Sequence, residues 1–474
     1  MHWKFLLFGI TGNLAKIKIL PGLAQFAQLN KDKTSVELVG YSRSQPKLEE
    51  VENALNSGID TNTLKISENE HNLTKISFIQ GGYEDGTVLF ETISDLKKDE
   101  RLVVYLAVPP STFIKFLQNA CPFSQNPIDV IVEKPFGRDP QEARQMLNLV
   151  YACNLHSQIH FCDHYLFKNS TLLNLDQKEQ IQHFFQEFQD NSKNLAKELP
   201  SEQSIEALNQ VNSDPSTNKV SESLSSPIPN QLEKSVIPKI KIHIKILEKV
   251  DLAGRAGYFD STGAFKDMWP HLFSLLTLTL ETTNLSAILS SLENLDKVKI
   301  EQVFLGQYAT YCDEAGLEDS TTETFFKIKL NIDGAEIIME SGKNLPTKIT
   351  EIDLTVSEAE NTLENGKNQN KSKKMIWNIY PQQNLTLLNE QSTESIDNFD
   401  KQINRQTKFL ADLSNPKLDQ TNLFELLLND EKQHFVTPEK ISQSWQIWQK
   451  ITDFIATNQV KIQIYQDQTI PKTD

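Results

Sequence analysis

The sequence predicts a doubly wound, parallel α/β domain followed by a larger α+β domain with a mostly antiparallel sheet. Three observations predict it. The first 165 residues alternate short β-branched or apolar runs with helical patterns, the signature of right-handed βαβ units. The stretch Lys239–Leu247 alternates strictly, with Ile240, Ile242, Ile244 and Ile246 on one face and Lys239, Lys241, His243 and Lys245 on the other. That period reads as a strand with one dry and one wet face. A glycine-bearing turn, FGITGNLAKIK, closes the first run and opens the first helix.

In chain order, strands are expected at Lys4–Phe8, Val36–Gly40, Ile76–Ile79, Leu102–Ala107, Asp129–Val132 and Ile159–Cys162, with helices such as Leu14–Leu29 and Pro140–Ala152 between them. The run LVVYLAV is almost wholly apolar, as a strand covered on both faces should be. Beyond Asp163, alternation returns at Lys239–Leu247, Phe326–Ile332, Ile352–Val356, Lys374–Ile379 and Val460–Tyr465. Two late amphipathic helices, near Thr421–Leu428 and Pro438–Ile455, are expected to pack on that second sheet. Residues 1–165 then form the first domain and 166–474 the second. The stretch 200–238, rich in Ser, Asn, Gln and Pro, is expected to be a solvated insertion, and Glu358–Lys373 a polar loop.

Composition bounds the function. The chain has 474 residues with 47 Lys+Arg and 63 Asp+Glu, a net charge of −16. That balance disfavours nucleic acid and anionic membrane as bulk partners, since both need a basic footprint. No apolar run reaches the roughly 18 to 20 residues of a membrane span, and the N-terminus reads as a buried strand without a cleavage site. The four cysteines are scattered with no CxxC pair, so reduced thiols and a cytoplasmic setting are expected. The nine histidines suggest no metal-binding cluster, and no metal is expected.

The glycine-bearing turn carries the first chemical signal. Gly9, Gly12 and Ala15 are small where a backbone must turn tightly and approach a pyrophosphate. The following helix start offers free N–H groups and a positive dipole end. At the end of the second strand, NAD-binding domains place an acid for the ribose 2′-hydroxyl. Here stand Ser42, Arg43 and Ser44. A cation flanked by hydroxyls suits a 2′-phosphate, so a Rossmann-type domain taking NADP rather than NAD is expected.

The segments FGITGNLAK, GYSRS, YLAVPPS, VEKPFGRD, DHYLFKN, GRAGYFD, LGQY and SGKNLPTK occur in this order. In order and spacing they resemble the glucose-6-phosphate dehydrogenase family over nearly the whole chain. The resemblance implies oxidation of C1 of glucose 6-phosphate to 6-phosphogluconolactone with hydride transfer to NADP, the first step of the oxidative pentose phosphate pathway. It implies a cofactor set of Gly9, Thr11, Gly12, Asn13, Leu14, Lys18, Arg43, Ala107, Pro109 and Lys134. The sugar phosphate falls to His164, Tyr165 and Lys168, the sugar to Lys134, Glu248, Asp267, Lys343 and Lys348. His271 is the implied base, held by Asp163. A homodimer or homotetramer is implied by resemblance alone.

Each role has a physical reason. Lys134 falls at the C-terminal end of a parallel strand, where ligands bind in doubly wound sheets. A phosphomonoester needs several donors, which His, Tyr and Lys supply. By spacing, His164 and Lys168 share one helix face. A histidine oriented by a carboxylate suits a base at neutral pH. The seven cationic or donor groups at 18, 43, 134, 164, 168, 343 and 348 make a positive cleft in an acidic shell, which resolves the tension with the net charge.

The chain also departs from the family. Asp267 and His271 stand four apart rather than five, with Pro270 in place of Asn. Removing one helical residue rotates every later residue by ~100°, so retention of the site requires either a regular turn where the family has a bulge or a kink at Pro270. Phe167 replaces Gly, Asn169 replaces Glu, Asn13 replaces Asp and Tyr380 replaces Gln. Glu340 stands where animal enzymes carry an Arg for a second, structural NADP, which argues against that second site. A non-catalytic relative and a dehydrogenase of another sugar phosphate remain open alternatives.

Overall fold

The computed structural model describes residues 1–58, 72–83, 86–123, 128–186, 238–252, 254, 256–357, 369–395, 398–410 and 417–473. Six strands, β1 His2–Phe8, β2 Ser35–Ser42, β3 Leu73–Gln80, β4 Glu100–Leu106, β5 Ile128–Glu133 and β6 Ile159–Cys162, form one sheet. Its order is β3-β2-β1-β4-β5-β6 and every pairing is parallel. That is the dinucleotide-binding order, whose switch point lies between β1 and β4. All six expected strands are present. The inner strands are covered on both faces: β5 is buried at all six positions, whereas the edge strand β3 has none fully buried.

Seven helices carry the rest of the argument: α1 Leu20–Leu29, α2 Phe113–Ala120, α3 Pro140–Ala152, α4 Asn169–Asp176, α5 Gly263–Thr282, α6 Asp419–Leu428 and α7 Pro438–Thr457. The first differs from expectation. Residues Ala15–Ile19 form a wide π turn, and only then does α1 begin, with Pro21 in its first turn.

The second sheet has nine strands in the order β14-β13-β12-β11-β7-β10-β9-β8-β15. They are β7 Lys239–Leu247, β8 Val298–Tyr308, β9 Phe325–Ile332, β10 Ala335–Gly342, β11 Ile349–Ser357, β12 Gln369–Tyr380, β13 Asn384–Ser395, β14 Asn398–Leu410 and β15 Ile462–Tyr465. The sheet is mixed, mostly antiparallel: β10 runs parallel to β7, and β15 parallel to β8. Ile242, Ile244 and Ile246 of β7 are buried. On the other face His243 pairs with Glu340, Lys245 with Glu351 and Lys241 with Glu336.

Helix α6 corrects an expectation. It packs on the first sheet rather than the second. Phe424 makes edge contacts with Phe5 at 5.3 Å, Phe26 at 5.7 Å and Tyr105 at 6.2 Å. Thr421 Oγ1 donates to Gly22 O and to Gln25 Oε1 of α1. The amphipathic pattern showed a buried face but not its partner. Helix α7 lies against α3 and α5 and touches β8; Ser444 O accepts from Trp269 Nε1 at 2.9 Å.

The expectation of reduced thiols is overturned. Cys121 and Cys153 form a disulfide, with Cα atoms 5.0 Å apart. They follow α2 and α3, which pack side by side, so 32 residues of sequence close into contact. Cys162 and Cys312 are free. The insertion at 200–238 lies outside the described residues except for Pro238. The polar loop at 358–373 does so as far as 368, and 369–373 begin β12. Among the described residues no helix is long and apolar enough to cross a membrane.

Candidate active site

The C-terminal ends of β1, β4, β5 and β6 form one rim. At β1, Gly9 adopts φ +84°. A Cβ there would lie 2.3 Å from Ala107 O at the end of β4, so the turn requires glycine. Gly9 N donates to Tyr41 O at 2.8 Å and Gly12 N to Gly9 O at 2.9 Å. Thr11, Gly12 and Leu14 are half-buried and Asn13 is exposed, ahead of the π turn. Ala107 is half-buried and Pro109 exposed on the neighbouring loop. Arg43, exposed at the end of β2, lies over the Tyr83 ring at 5.5 Å. Among the described residues no carboxylate pairs with it. This rim suits a dinucleotide: the turn after β1 is built on Gly9 and Gly12, the helical segment starts directly behind it, and the exposed Arg43 stands at the end of β2.

Lys134 follows β5. Its Nζ donates to Asp267 Oδ1 and to Asp267 O, both at 2.9 Å. The Asp267 carboxyl is half-buried, and its desolvation opposes its charge, but Lys134 prevails and holds it down to about 2. Beside it Glu133, the last residue of β5, accepts from Tyr105 OH at 2.5 Å. Burial pushes Glu133 up to about 6, against that hydrogen bond and the charge of Lys18.

Asp163 follows β6 and is fully buried. Its Oδ1 accepts from Tyr165 N at 3.0 Å and lies 2.7 Å from His271 Nδ1. A carboxylate can only accept, so Nδ1 carries the proton and Nε2 bears the lone pair. Burial opposes the Asp163 charge, but the imidazole of His271 outweighs it and lowers the pKa. Burial lowers His271 below its ordinary value, with Asp163 pulling the other way. His271 is therefore neutral near pH 7 and competent as a base.

The spacing problem is resolved by a regular helix. Asp267 and His271 are i and i+4 on α5, hence on one face, and Pro270 sits inside it without ending it. The start of α5 is capped from outside: Ala264 N donates to Glu323 O and Phe265 N to Glu323 Oε1, each at 2.9 Å.

His164 and Lys168 do not share a helix face, as spacing suggested. His164–Phe167 is a 3₁₀ turn, and Lys168 is the extended residue before α4. The turn packs rings on His271 instead: His164 meets it edge-on at 4.8 Å and Tyr165 tilted at 4.6 Å. Lys168 Nζ sits 5.2 Å above the Tyr165 ring and 3.2 Å from Asp419 Oδ2. Phe167 turns away and packs on Phe435 at 5.1 Å, so it leaves the turn open.

Glu248 follows β7, and its Oε2 pairs with Lys343 Nζ after β10. Lys343 is buried, with its ammonium 5.3 Å above Phe259. Lys348 stands apart: it is exposed and lies 4.8 Å above the Tyr380 ring. Arg43 likewise belongs to the nucleotide rim rather than to this cluster. Asp419, Glu323 and Tyr105 escaped the sequence reading, because their partners lie far along the chain. The histidine spacing also missed that Asp163, His164 and His271 stand together.

A nucleotide rim meeting a carboxylate–imidazole pair beside Lys134, Lys168 and Lys343, each matched by a carboxylate, defines the class of pyridine-nucleotide-dependent oxidoreductases. Residues 6–174 match the model of the glucose-6-phosphate dehydrogenase NAD binding domain, and residues 228–472 that of its C-terminal domain. The chain belongs to the glucose-6-phosphate dehydrogenase family.

Individual relatives agree. Glucose-6-phosphate 1-dehydrogenase 2 of Mycobacterium bovis is 26% identical over 398 residues, 74% of this chain and 68% of that protein. Glucose-6-phosphate 1-dehydrogenase of Emericella nidulans is 24% identical over 486 residues, 95% of this chain and 85% of that protein. A solved glucose-6-phosphate dehydrogenase in complex with glucose 6-phosphate shares the fold at TM-score 0.70 and 20% identity, covering 99% of this chain and 95% of that one.

Proposed function

We propose that this chain oxidises C1 of glucose 6-phosphate to 6-phosphogluconolactone with NADP as hydride acceptor. The observation that carries it is the buried Asp163–His271 pair at 2.7 Å, with the Lys134–Asp267 pair one turn earlier on the same face of α5.

His271 Nε2 takes the proton of the C1 hydroxyl as the C1–H bond breaks. Asp163 keeps the ring in the tautomer this requires and stabilises the imidazolium that forms. Lys134, Asp267 and Glu248 hold sugar hydroxyls, and Lys343 balances Glu248. His164, Tyr165 and Lys168 bind the phosphate. Gly9, Thr11, Gly12, Asn13, Leu14, Lys18, Ala107 and Pro109 hold the dinucleotide, with Arg43 on its 2′-phosphate. When bound, the nicotinamide supplies the acceptor for the hydride.

The test is the absorbance of reduced nicotinamide with NADP or NAD, against glucose 6-phosphate or glucose. Turnover confined to the phosphorylated sugar, and faster with NADP, is expected. No turnover with any pairing overturns the reading. Arg43→Ala should raise the KM for NADP and leave that for NAD nearly unchanged.

We infer two further properties. The family resemblance favours a homodimer or homotetramer, which sedimentation would test. A cytoplasmic location is favoured by the name of one relative, the cytoplasmic glucose-6-phosphate 1-dehydrogenase 5 of Arabidopsis thaliana, 25% identical over 498 residues. Fractionation of cells would test it.

A further inference from the structure

Strand β15 meets the substrate turns through one hydroxyl. Tyr465 ends the strand, opposite Tyr308 of β8. Its ring is buried, edge-on to Tyr308 at 6.4 Å and to Phe325 at 6.0 Å. Tyr465 OH donates to Lys343 O at 2.7 Å and lies 3.0 Å from Thr324 Oγ1, which accepts from Tyr308 N at 3.0 Å. A carbonyl only accepts and a backbone N–H only donates, so every proton in the chain is placed. Tyr308 N–H points to Thr324 Oγ1, the Thr324 hydroxyl to the Tyr465 oxygen, and the Tyr465 hydroxyl to Lys343 O. Tyr308, Thr324, Tyr465 and Lys343 are all buried, where hydrogen bonds in series reinforce one another. Thr324 also holds the other side of the lysine: Lys343 N donates to Thr324 O at 2.9 Å.

The neighbouring turns are tied to the same segment. Gln468 N donates to Asn344 O at 2.8 Å, Asn344 Nδ2 to Asp467 Oδ2 at 3.0 Å and Gln468 Nε2 to Lys249 O at 3.2 Å. Leu345 N donates to Glu248 O at 3.1 Å. Residues 465–468 thus clamp together the turn that carries Glu248 and the turn that carries Lys343. The backbone of Lys343, held on both sides, sets where its ammonium meets Glu248 and how its charge bears on Asp267.

We propose that Tyr465 is a positioning residue for the sugar: its hydroxyl fixes the backbone of Lys343 and so aims the Lys343–Glu248 pair at the sugar hydroxyls. This rests on the placement of the sugar at Glu248 and Lys343 in the function proposed above. Small displacements of a binding group are costly, and Tyr465→Phe takes the donor from a buried carbonyl while keeping the ring.

The test is calorimetric titration of the full chain with glucose 6-phosphate, without cofactor. Tyr465→Phe should weaken binding about 5- to 20-fold, with NADP affinity unchanged and thermal unfolding cooperative. Thr324→Val breaks the chain one link earlier and should act in the same direction, so it carries the test if Tyr465→Phe does not fold. Thr324→Ser keeps the hydroxyl and should restore binding. A purely structural role is separated by a double-mutant cycle: in a Lys343→Ala background, Tyr465→Phe should weaken binding by less than about twofold further. Binding by Tyr465→Phe equal to the parent's, or a loss as large in the Lys343→Ala background as in the parent, would overturn the inference. Because the titration involves no turnover, a chain that binds in this pattern yet oxidises no sugar phosphate refutes the function and leaves the positioning role standing.

Discussion

Asp419 Oδ2 lies 3.2 Å from Lys168 Nζ, across 251 residues of sequence. Asp419 opens α6, the helix that also grips α1 and the turn after Asp163, where Asn422 Nδ2 donates to Phe167 O at 2.8 Å. One element from the end of the chain thus touches the nucleotide helix and the phosphate turn together.

In the free protein Asp419 neutralises a cation assigned to the substrate phosphate. The pair is about one-quarter exposed on each side, so its own worth is modest. Its effect on a phosphate dianion is larger, because like charges meet there. Asp419→Asn keeps the shape and an acceptor but removes the competing charge. The KM for glucose 6-phosphate should fall about 3- to 10-fold, as ~1 kcal/mol of repulsion is relieved, with kcat unchanged. Steady-state kinetics reads this directly; a raised KM would show that Asp419 chiefly positions Lys168.

Replacing the base should be costly. His271→Asn should lower kcat by about 10²- to 10⁴-fold, with a thermal midpoint close to the parent's. Asp163→Asn acts differently. The carboxylate raises the His271 pKa against the effect of burial, so its loss moves the acid limb of kcat/KM to lower pH while reducing kcat through the wrong tautomer. An acid limb that stayed in place would uncouple the two residues.

The first sheet was legible because parallel strands buried on both faces are nearly continuous apolar runs. On the second sheet, β7, β9, β11 and β12 announced themselves by alternation. Strand β10 did not, since AEIIMESG has burial at seven of eight positions. Strands β13 and β14 are rich in Asn, Gln, Ser and charge, which reads as loop. The parallel pairing of β10 with β7 is a long-range choice that no local pattern carries. Lys134, Asp163, Glu248 and Lys343 were legible because each stands in a motif directly after a strand, whereas Asp267 and His271 lie within α5. Asp419 and Glu323 were not, because each acts on an element remote in sequence and carries no motif of its own.

Gly9 tests the nucleotide rim. A methyl group there would clash with Ala107 O at a backbone angle that side chains avoid, so the loop must move. Gly9→Ala should weaken NADP binding at least tenfold, measured by calorimetry without substrate. Gly334 is the control: it has φ +89°, but nothing lies within 4 Å of its would-be Cβ. Gly334→Ala should bind NADP like the parent. Equal affinity for both would mean that the dinucleotide does not approach Gly9.

Glu133 should leave a mark on stability. Its folded pKa is raised from 4.5 to about 6, so the folded state binds this proton more tightly than the unfolded chain. The stabilising contribution is full below about pH 4.5 and is lost as pH rises through about 6. A shift of this size is worth about 2 kcal/mol. Glu133→Gln cannot ionise, yet keeps an oxygen for Tyr105 OH. The stability of the variant relative to the parent should therefore rise by about 2 kcal/mol between pH 4.5 and pH 7, read from urea unfolding of both at each pH. A difference that stays flat across this window would mean that Glu133 is ionised throughout, with Lys18 and Tyr105 outweighing its burial. Lys18 would then be committed to Glu133 rather than free for the cofactor.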